Sequence, residues 1–221
     1  LSRSLDPLGQ PCDRVVGLAY LNSKFETGIR SPLDVAILKI ERHEMDEYRK
    51  IDEIPFDFNR RRLSIVVERE GAQRVERLLI AKGAPEGVLE VCELFEAGGQ
   101  IQSLDPGALE QVSKAYQDLC AEGFRVLAVA HRVVESHDGF TAEDERALTL
   151  DGFLAFADPP LEDAAESVAA MKRDGVQVKI LTGDNGLVAQ YICAQVGLES
   201  GVAVLGSEIE AMSDTALAHV A

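Results

Sequence analysis

Three short stretches of this chain combine residue types that could meet a phosphorylated ligand. The first is Phe56-Asp57-Phe58-Asn59-Arg60-Arg61-Arg62, which runs into the apolar segment Leu63 to Val67. If the backbone is already extended at Phe58, alternation with a period of two puts Phe58, Arg60 and Arg62 on one face. An aromatic ring flanked by guanidinium groups suits a nucleotide, with the ring stacked on a base and the cations on phosphates. The same run also fits a solvated basic turn beside a core phenylalanine, the commoner use of such charge. The second stretch is Lys82-Gly83-Ala84-Pro85-Glu86, just after an apolar run. A lysine backed by two small residues lets a ligand approach the backbone while the ammonium acts as a point charge. A surface lysine at a strand-to-helix turn fits as well. The third is Thr182-Gly183-Asp184 at the end of an apolar run. There Thr182 could donate a hydroxyl to a phosphoryl oxygen, and Asp184 could cap a helix whose N-terminus favours anions. A tight turn followed by a helix cap explains the same three residues. Arg125 opens an apolar run and reads either as a ligand contact or as an edge residue reaching for solvent. Asp34 stands where a capping box accounts for a carboxylate.

The elements that must position these residues follow from periodicity. Asp13 to Lys24 reads as a helix with Val15, Leu18, Ala19 and Leu21 on one face. Ser31-Pro32-Leu33-Asp34 opens a second helix, with serine as N-cap and proline at the first position. Ile54 to Glu68 reads as extended, and Leu78 to Ala81 as a further strand. Asp105-Pro106 starts an amphipathic helix through Leu109, Val112, Tyr116 and Leu119 that stops at Gly123. Arg125 to Ala130 and Leu150 to Phe156 read as strands. After Asp158-Pro159-Pro160 the pattern changes to helix (Leu161 to Arg173), strand (Val176 to Leu181), helix (Asn185 to Val196) and short strand (Val202 to Leu205). That alternation is the signature of a parallel, doubly wound sheet. The region before it predicts an α+β layout, and the double proline a hinge between residues 1–157 and 158–221.

With 221 residues the chain can bury a real core, as one large domain or two small ones. Hydrophobic residues make up 46% and charged residues 27%, which is the balance of a folded chain rather than a disordered one. The net charge of −16 repels phosphate backbones and anionic lipid, so neither nucleic acid nor a membrane surface is an expected partner. Cys12, Cys92, Cys120 and Cys193 form no C-x-x-C pair, and His43, His131, His137 and His219 show no ligand spacing. The reading is therefore free thiols and no structural zinc. No apolar run reaches the roughly 18 residues that would span a bilayer, so the chain is expected to be soluble.

Taken in order, F-D-F-N-R-R-R-L-S at 56–64, K-G-A-P-E at 82–86, F-R-V-L-A-V-A at 124–130, D-P-P at 158–160 and I-L-T-G-D at 180–184 resemble the P-type ATPases. L-N-S-x-F-x-T-G at 21–28, K-I-D-E-I-P-F-D-F at 50–58 and V-G-L-E-S-G followed by G-S-E-I-E near 196–210 look like the bacterial magnesium-transporting branch. The resemblance implies a nucleotide-binding domain at 1–157, an α+β fold with a mostly antiparallel sheet and flanking helices. It implies a partial phosphorylation domain at 158–221, an incomplete α/β segment of haloacid-dehalogenase-like, Rossmann type. It also implies that Phe58 stacks on adenine, that Lys82 with Gly83 lies beside the nucleotide, that Arg125 is near the phosphates and that Asp34 is near the base. Related calcium pumps have a longer segment with an extra lysine after the phenylalanine, so Arg60 and Arg62 would cover that ground here. Those pumps also follow D-P-P with arginine, where this chain has Leu161, so a phosphate role for Asp158, Pro159 and Pro160 is weakened. Thr182, Gly183 and Asp184 match the motif that contacts the phosphoryl group on a catalytic aspartate.

By the same resemblance the cofactor is ATP with magnesium. The partners are the remaining phosphorylation, actuator and transmembrane domains of a cation pump in a bacterial inner membrane, with this portion on the cytoplasmic side. The D-K-T-G-T that carries the phosphorylated aspartate does not occur between Leu1 and Ala221, and neither does G-D-G-x-N-D. The chain taken alone is thus expected to bind ATP and perform no chemistry. Two alternatives remain at this level. A free-standing haloacid-dehalogenase-type phosphatase would need a D-x-D-x-T/V strand that the sequence lacks, and a regulatory nucleotide-binding module would have no use for residues 158–221. A pump for another cation, such as calcium, is the nearest variant.

Overall fold

The computed structural model describes residues 1–28, 30–40, 42–70, 75–136, 139–183, 185–198, 204, 206–213 and 215–217. The chain divides into two compact units, one comprising Leu1–Leu119 with Arg125–Ala157 and the other Cys120–Phe124 with Asp158–Ala221.

The first unit is a mixed sheet with helices on both faces. Its strands are β1 (Arg3–Leu5), β2 (Arg49–Asp57), β3 (Arg62–Glu70), β4 (Val75–Gly83), β5 (Cys92–Ala97), β6 (Gln100–Ser103), β7 (Phe124–Val133) and β8 (Leu148–Ala157). The order is β2-β3-β4-β7-β8-β5-β6, with β1 paired to β8. The pairings β2–β3, β3–β4, β5–β6 and β1–β8 are antiparallel, as is β4–β7, whereas β5 runs parallel to β8. The segment expected to be extended from Ile54 to Glu68 is in fact two strands. A turn at 58–61 separates them, so Phe58 and Arg60 do not alternate on a strand with Arg62. The cause is local: Asp57 Oδ1 accepts from the backbone N–H of Asn59 and of Arg60, both at 2.9 Å, and the turn closes with Arg61 N to Asp57 O at 2.7 Å. Short polar side chains fold the chain back in this way wherever they capture the amides that follow them.

Two helices cover one face. The apolar stripe of Val15, Leu18 and Leu21 on α1 (Arg14–Phe25), with Ile37 of α2 (Pro32–Leu38), packs on Ile65, Val67, Leu78, Ile80, Val129, Leu154 and Phe156. α2 begins as its sequence dictates: Ser31 is the N-cap, Pro32 follows, and Asp34 completes the capping box. The other sheet face carries α3 (Pro85–Leu89) and α4 (Pro106–Ala121), with Tyr116 against Phe153 at 5.9 Å between ring centroids.

In the second unit α5 (Ala164–Arg173) and α6 (Gly186–Gln195) are joined by Lys172 Nζ donating to Gly197 O at 2.7 Å, and α7 (Gly206–Ala211) follows. The strand expected from Val176 to Leu181 does not form, and Leu181 is 95% exposed. A parallel strand exists only between hydrogen-bonded neighbours, and no strand lies among the described residues of 158–221. Of the strand expected at 202–205, only Val204 lies within the described residues, and it is irregular.

Candidate functional site

One end of the large sheet gathers most of the residues singled out by sequence. The register of β3 on β4 pairs Arg62 with Gly83 and Leu63 with Lys82, so the 58–61 turn abuts the K-G-A-P-E segment. Ala84 N donates to Arg61 O at 2.9 Å and locks the two together. A methyl group at Gly83 would stand 2.3 Å from the Arg61 carbonyl oxygen, and one at Gly87 would stand 2.4 Å from that of Arg60. These glycines are therefore required by the neighbouring turn. Gly83 is itself buried, so its small size makes room for protein backbone and not for a ligand as the sequence suggested.

Lys82 is 4% exposed and points towards α1 and α2. Its ammonium donates to Ser23 Oγ at 2.7 Å, to Glu26 Oε2 at 3.3 Å and, closer still, to Asp34 Oδ1. Asp34 is thus both helix cap and counter-ion. Its Oδ2 accepts from Ser31 N at 3.0 Å and Ser31 Oγ at 2.6 Å, while Ser23 Oγ donates to Oδ1 at 2.9 Å. Burial alone would raise the Asp34 carboxyl, but the Lys82 charge and hydrogen bond, with the Ser31 and Ser23 hydroxyls, outweigh it and hold the pKa below the usual range. Glu26 goes the other way. Burial raises it, and the Asp34 charge adds to that against the pull of Lys82. At the rim, Glu53 accepts from Lys50 at 2.5 Å and from Thr27 Oγ1 at 2.7 Å. Lys82 is thus the buried counter-ion of Asp34 and Glu26.

The arginines of the first stretch turn to the opposite face. Arg60 Nη1 and Arg62 Nε both donate to Glu145 Oε2, at 2.6 and 2.8 Å, and Ser64 Oγ donates to Oε1 at 2.7 Å. Arg62 Nη1 also donates to Gly87 O at 2.6 Å. Phe58, in contrast, is 86% exposed at the tip of the turn, edge-on to Phe56 with ring centroids 5.2 Å apart. Arg125, half-buried near the start of β7, shares the Lys82 face by alternation from Leu127 and Val129, which pack in the same core.

Elsewhere, Asp158 and Pro159 are exposed and Pro160 is half-buried. Thr182 and Gly183 are exposed in the second unit, and Asp184 lies outside the described residues. The structure thus brings together Lys82 and Asp34, and separately Arg60 and Arg62. Ser23 and Glu26 complete the first grouping and Ser64 and Glu145 the second, and the sequence gives no site role to Ser64, Glu26 or Glu145. The Asx turn at Asp57 is the local signal that takes Phe58 and Arg60 off the strand. No cluster of three or more His, Cys, Asp or Glu fit to hold a metal occurs among the described residues. Burial and the nearby Asp151 charge push the Cys92 thiol up.

At this end two exposed aromatic rings stand at the turn, Lys82, Asp34 and Glu26 form a buried ion cluster, and Arg125 lies half-buried on the Lys82 face. Among known proteins, the family profile described as P-type ATPase, cytoplasmic domain N, matches residues 22–163. The chain is 41% identical over 227 residues to the magnesium-transporting ATPase, P-type 1, of Salmonella typhimurium strain LT2, covering 100% of this chain and 25% of that protein. It is equally 41% identical over 228 residues to the protein of the same name from Escherichia coli K12, with the same coverage. Calcium-transporting ATPase 1 of Lactococcus lactis is 30% identical over 76% of this chain and 19% of its own length. The chain spans about a quarter of the length of its magnesium-transporting relatives. By the family match and this identity, the chain belongs to the P-type ATPases, and residues 22–163 to their cytoplasmic N domain.

Proposed function

We propose that the chain is the ATP-binding portion of a pump that couples ATP hydrolysis to cation transport, with magnesium as the cation. Magnesium is favoured over calcium because the relatives named for magnesium transport match the whole chain at 41%, while the calcium-transporting one matches three quarters of it at 30%. In this reading residues 1–157 bind the nucleotide and 158–221 belong to a haloacid-dehalogenase-like phosphorylation domain. Thr182, Gly183 and Asp184 contact the transferred phosphoryl group, and Asp158, Pro159 and Pro160 form the hinge. The remaining phosphorylation, actuator and transmembrane domains are its partners, in a bacterial inner membrane with this portion on the cytoplasmic side.

The observation that carries the reading is the exposed Phe56–Phe58 pair set on the sheet end that holds Lys82, Asp34 and Glu26. Adenine would stack on the rings, and Arg125 would meet the phosphates. Magnesium, when bound with ATP, would screen charge on the phosphates. The test is titration of the chain with ATP by calorimetry or amide chemical shifts. Phe58→Ala should remove about 1–3 kcal/mol of stacking and Phe56→Ala a similar amount, while Arg146→Ala on the exposed surface should change little. Unchanged affinity in both phenylalanine variants would move the site elsewhere.

A further inference from the structure

We propose that Glu145 is a positioning residue for base binding: from the opposite side of the sheet, it fixes the turn that presents Phe56 and Phe58. This inference rests on the nucleotide reading above and assigns Arg60 and Arg62 a task other than phosphate contact. The Glu145 side chain is completely buried, and both its oxygens are engaged by side chains of the 60–64 segment. Arg60 spans the aromatic stretch. One of its nitrogens reaches Glu145 at 2.6 Å and another donates to Pro55 O at 2.6 Å, immediately before Phe56. The planar guanidinium thus brackets residues 55–60 and transmits the position of Glu145 to both rings. A flexible ammonium cannot hold that two-point geometry. Arg62 joins the same carboxylate to Gly87 O, and the close approach of Gly87 to Arg60 O fixes the far side of the turn.

Glu145 is itself held. It follows the 3-10 turn Ala142–Asp144, closed by a capping box between Thr141 and Asp144. Phe140 N donates to Asp52 Oδ2 at 2.8 Å, which ties this segment to β2 just ahead of the aromatic stretch. The carboxylate is therefore fixed to the same hairpin whose turn it restrains. Arg60 and Arg62 spend their charge and several of their donors on Glu145 and backbone carbonyls, so a phosphate would have to compete with this cluster.

The alternative roles predict different ligand dependence. Positioning acts through the base, so a defect must be the same for AMP, ADP and ATP. A phosphate contact loses its effect as phosphates are removed. The experiment compares the affinities of the three nucleotides, by calorimetry, for the wild-type chain and for Arg60→Gln, Arg60→Lys and Glu145→Gln. The expected result is a loss of about tenfold, a large part of the stacking contribution, equal across the three nucleotides and as large in Arg60→Lys as in Arg60→Gln. Amide exchange at 57–61 should accelerate in each variant. Should Glu145→Gln fail to fold, the two Arg60 variants decide the matter, because Arg60 lies at the edge of the cluster. A defect confined to ATP and rescued by Arg60→Lys would overturn the inference, make Arg60 a phosphate ligand and leave the nucleotide reading intact. Wild-type affinity in the Arg60 variants would overturn it too and leave the cluster a purely structural one. Failure of the wild-type chain to bind any of the three would sink the nucleotide reading and this inference with it.

Discussion

Replacing Lys82 separates a structural role from a ligand-binding one more sharply than any other change. The Lys82, Asp34 and Glu26 side chains are 4%, 7% and 4% exposed, so the ammonium is the buried counter-charge to two carboxylates. Lys82→Met keeps most of the aliphatic stem and its packing, so the loss reports charge and hydrogen bonding. Breaking a buried pair by removing one partner costs about 3–5 kcal/mol, since the remaining charge stays desolvated. For a chain of this size each kcal/mol moves the melting point by about 2–4 °C, so the drop should fall between about 6 and 20 °C.

The pH dependence carries a sign as well. In the wild type the Asp34 pKa is lowered, so its contribution to stability is present at neutral pH and lost as pH falls through that lowered value. The raised Glu26 contributes oppositely, costing stability as pH rises through its own pKa. In Lys82→Met burial acts on Asp34 without its counter-charge, so protonation becomes the relief. The deficit of the variant should therefore shrink between pH 7 and about pH 5. Adding Asp34→Asn to Lys82→Met should recover most of the loss at neutral pH. Urea unfolding followed by far-ultraviolet circular dichroism at both pH values measures all of this. A Lys82→Met chain with unchanged midpoint and abolished ATP binding would refute the buried-pair argument and return Lys82 to the ligand.

Three further outcomes follow from the same geometry. Arg125→Gln should weaken ATP more than AMP in calorimetric titration and leave the melting point close to wild type; equal loss for both nucleotides would remove Arg125 from the phosphates. Gly87→Ala should cost about 1–3 kcal/mol in urea unfolding, because its methyl group must displace the Arg60 carbonyl 2.4 Å away. ATP affinity should fall only shallowly with added salt, since screening weakens exposed charge contacts while leaving stacking in place; a steep fall would mean that cations dominate binding.

How much of this was legible in the sequence depends on whether the determining contact is local. α1, the Ser31–Asp34 capping box, β4 and β7 were readable because periodicity and helix-start chemistry lie within one element. The paired antiparallel strands with flanking helices followed from the same signals. The face assigned to Phe58, Arg60 and Arg62 failed because a turn without glycine or proline at its tip resembles a strand when only alternation is counted. Asp57 makes that turn, through its side chain. Glu145 could not be found at all, since it is 85 residues from Arg60 and sits in an ordinary charged run. Val176 to Leu181 shows the converse error. Its composition suits a buried strand, but a strand is made by its neighbours, and none lies beside it among the described residues of 158–221.

The arrangement also explains how a chain of net charge −16 could bind a tetra-anionic nucleotide. A surface of that charge opposes the phosphates at long range, and the motif cations do little to offset it. Lys82 is neutralised by Asp34, and Arg60 and Arg62 are held by Glu145. What stands exposed at this end is insensitive to charge: the Phe56 and Phe58 rings. On the proposed nucleotide reading, recognition at this end of the sheet would be led by the base. In the proposed pump a base-led site would have a mechanical advantage, because the nucleotide must reach a reaction elsewhere. Such a site would grip the end of ATP that does not react and leave the γ-phosphate for other groups.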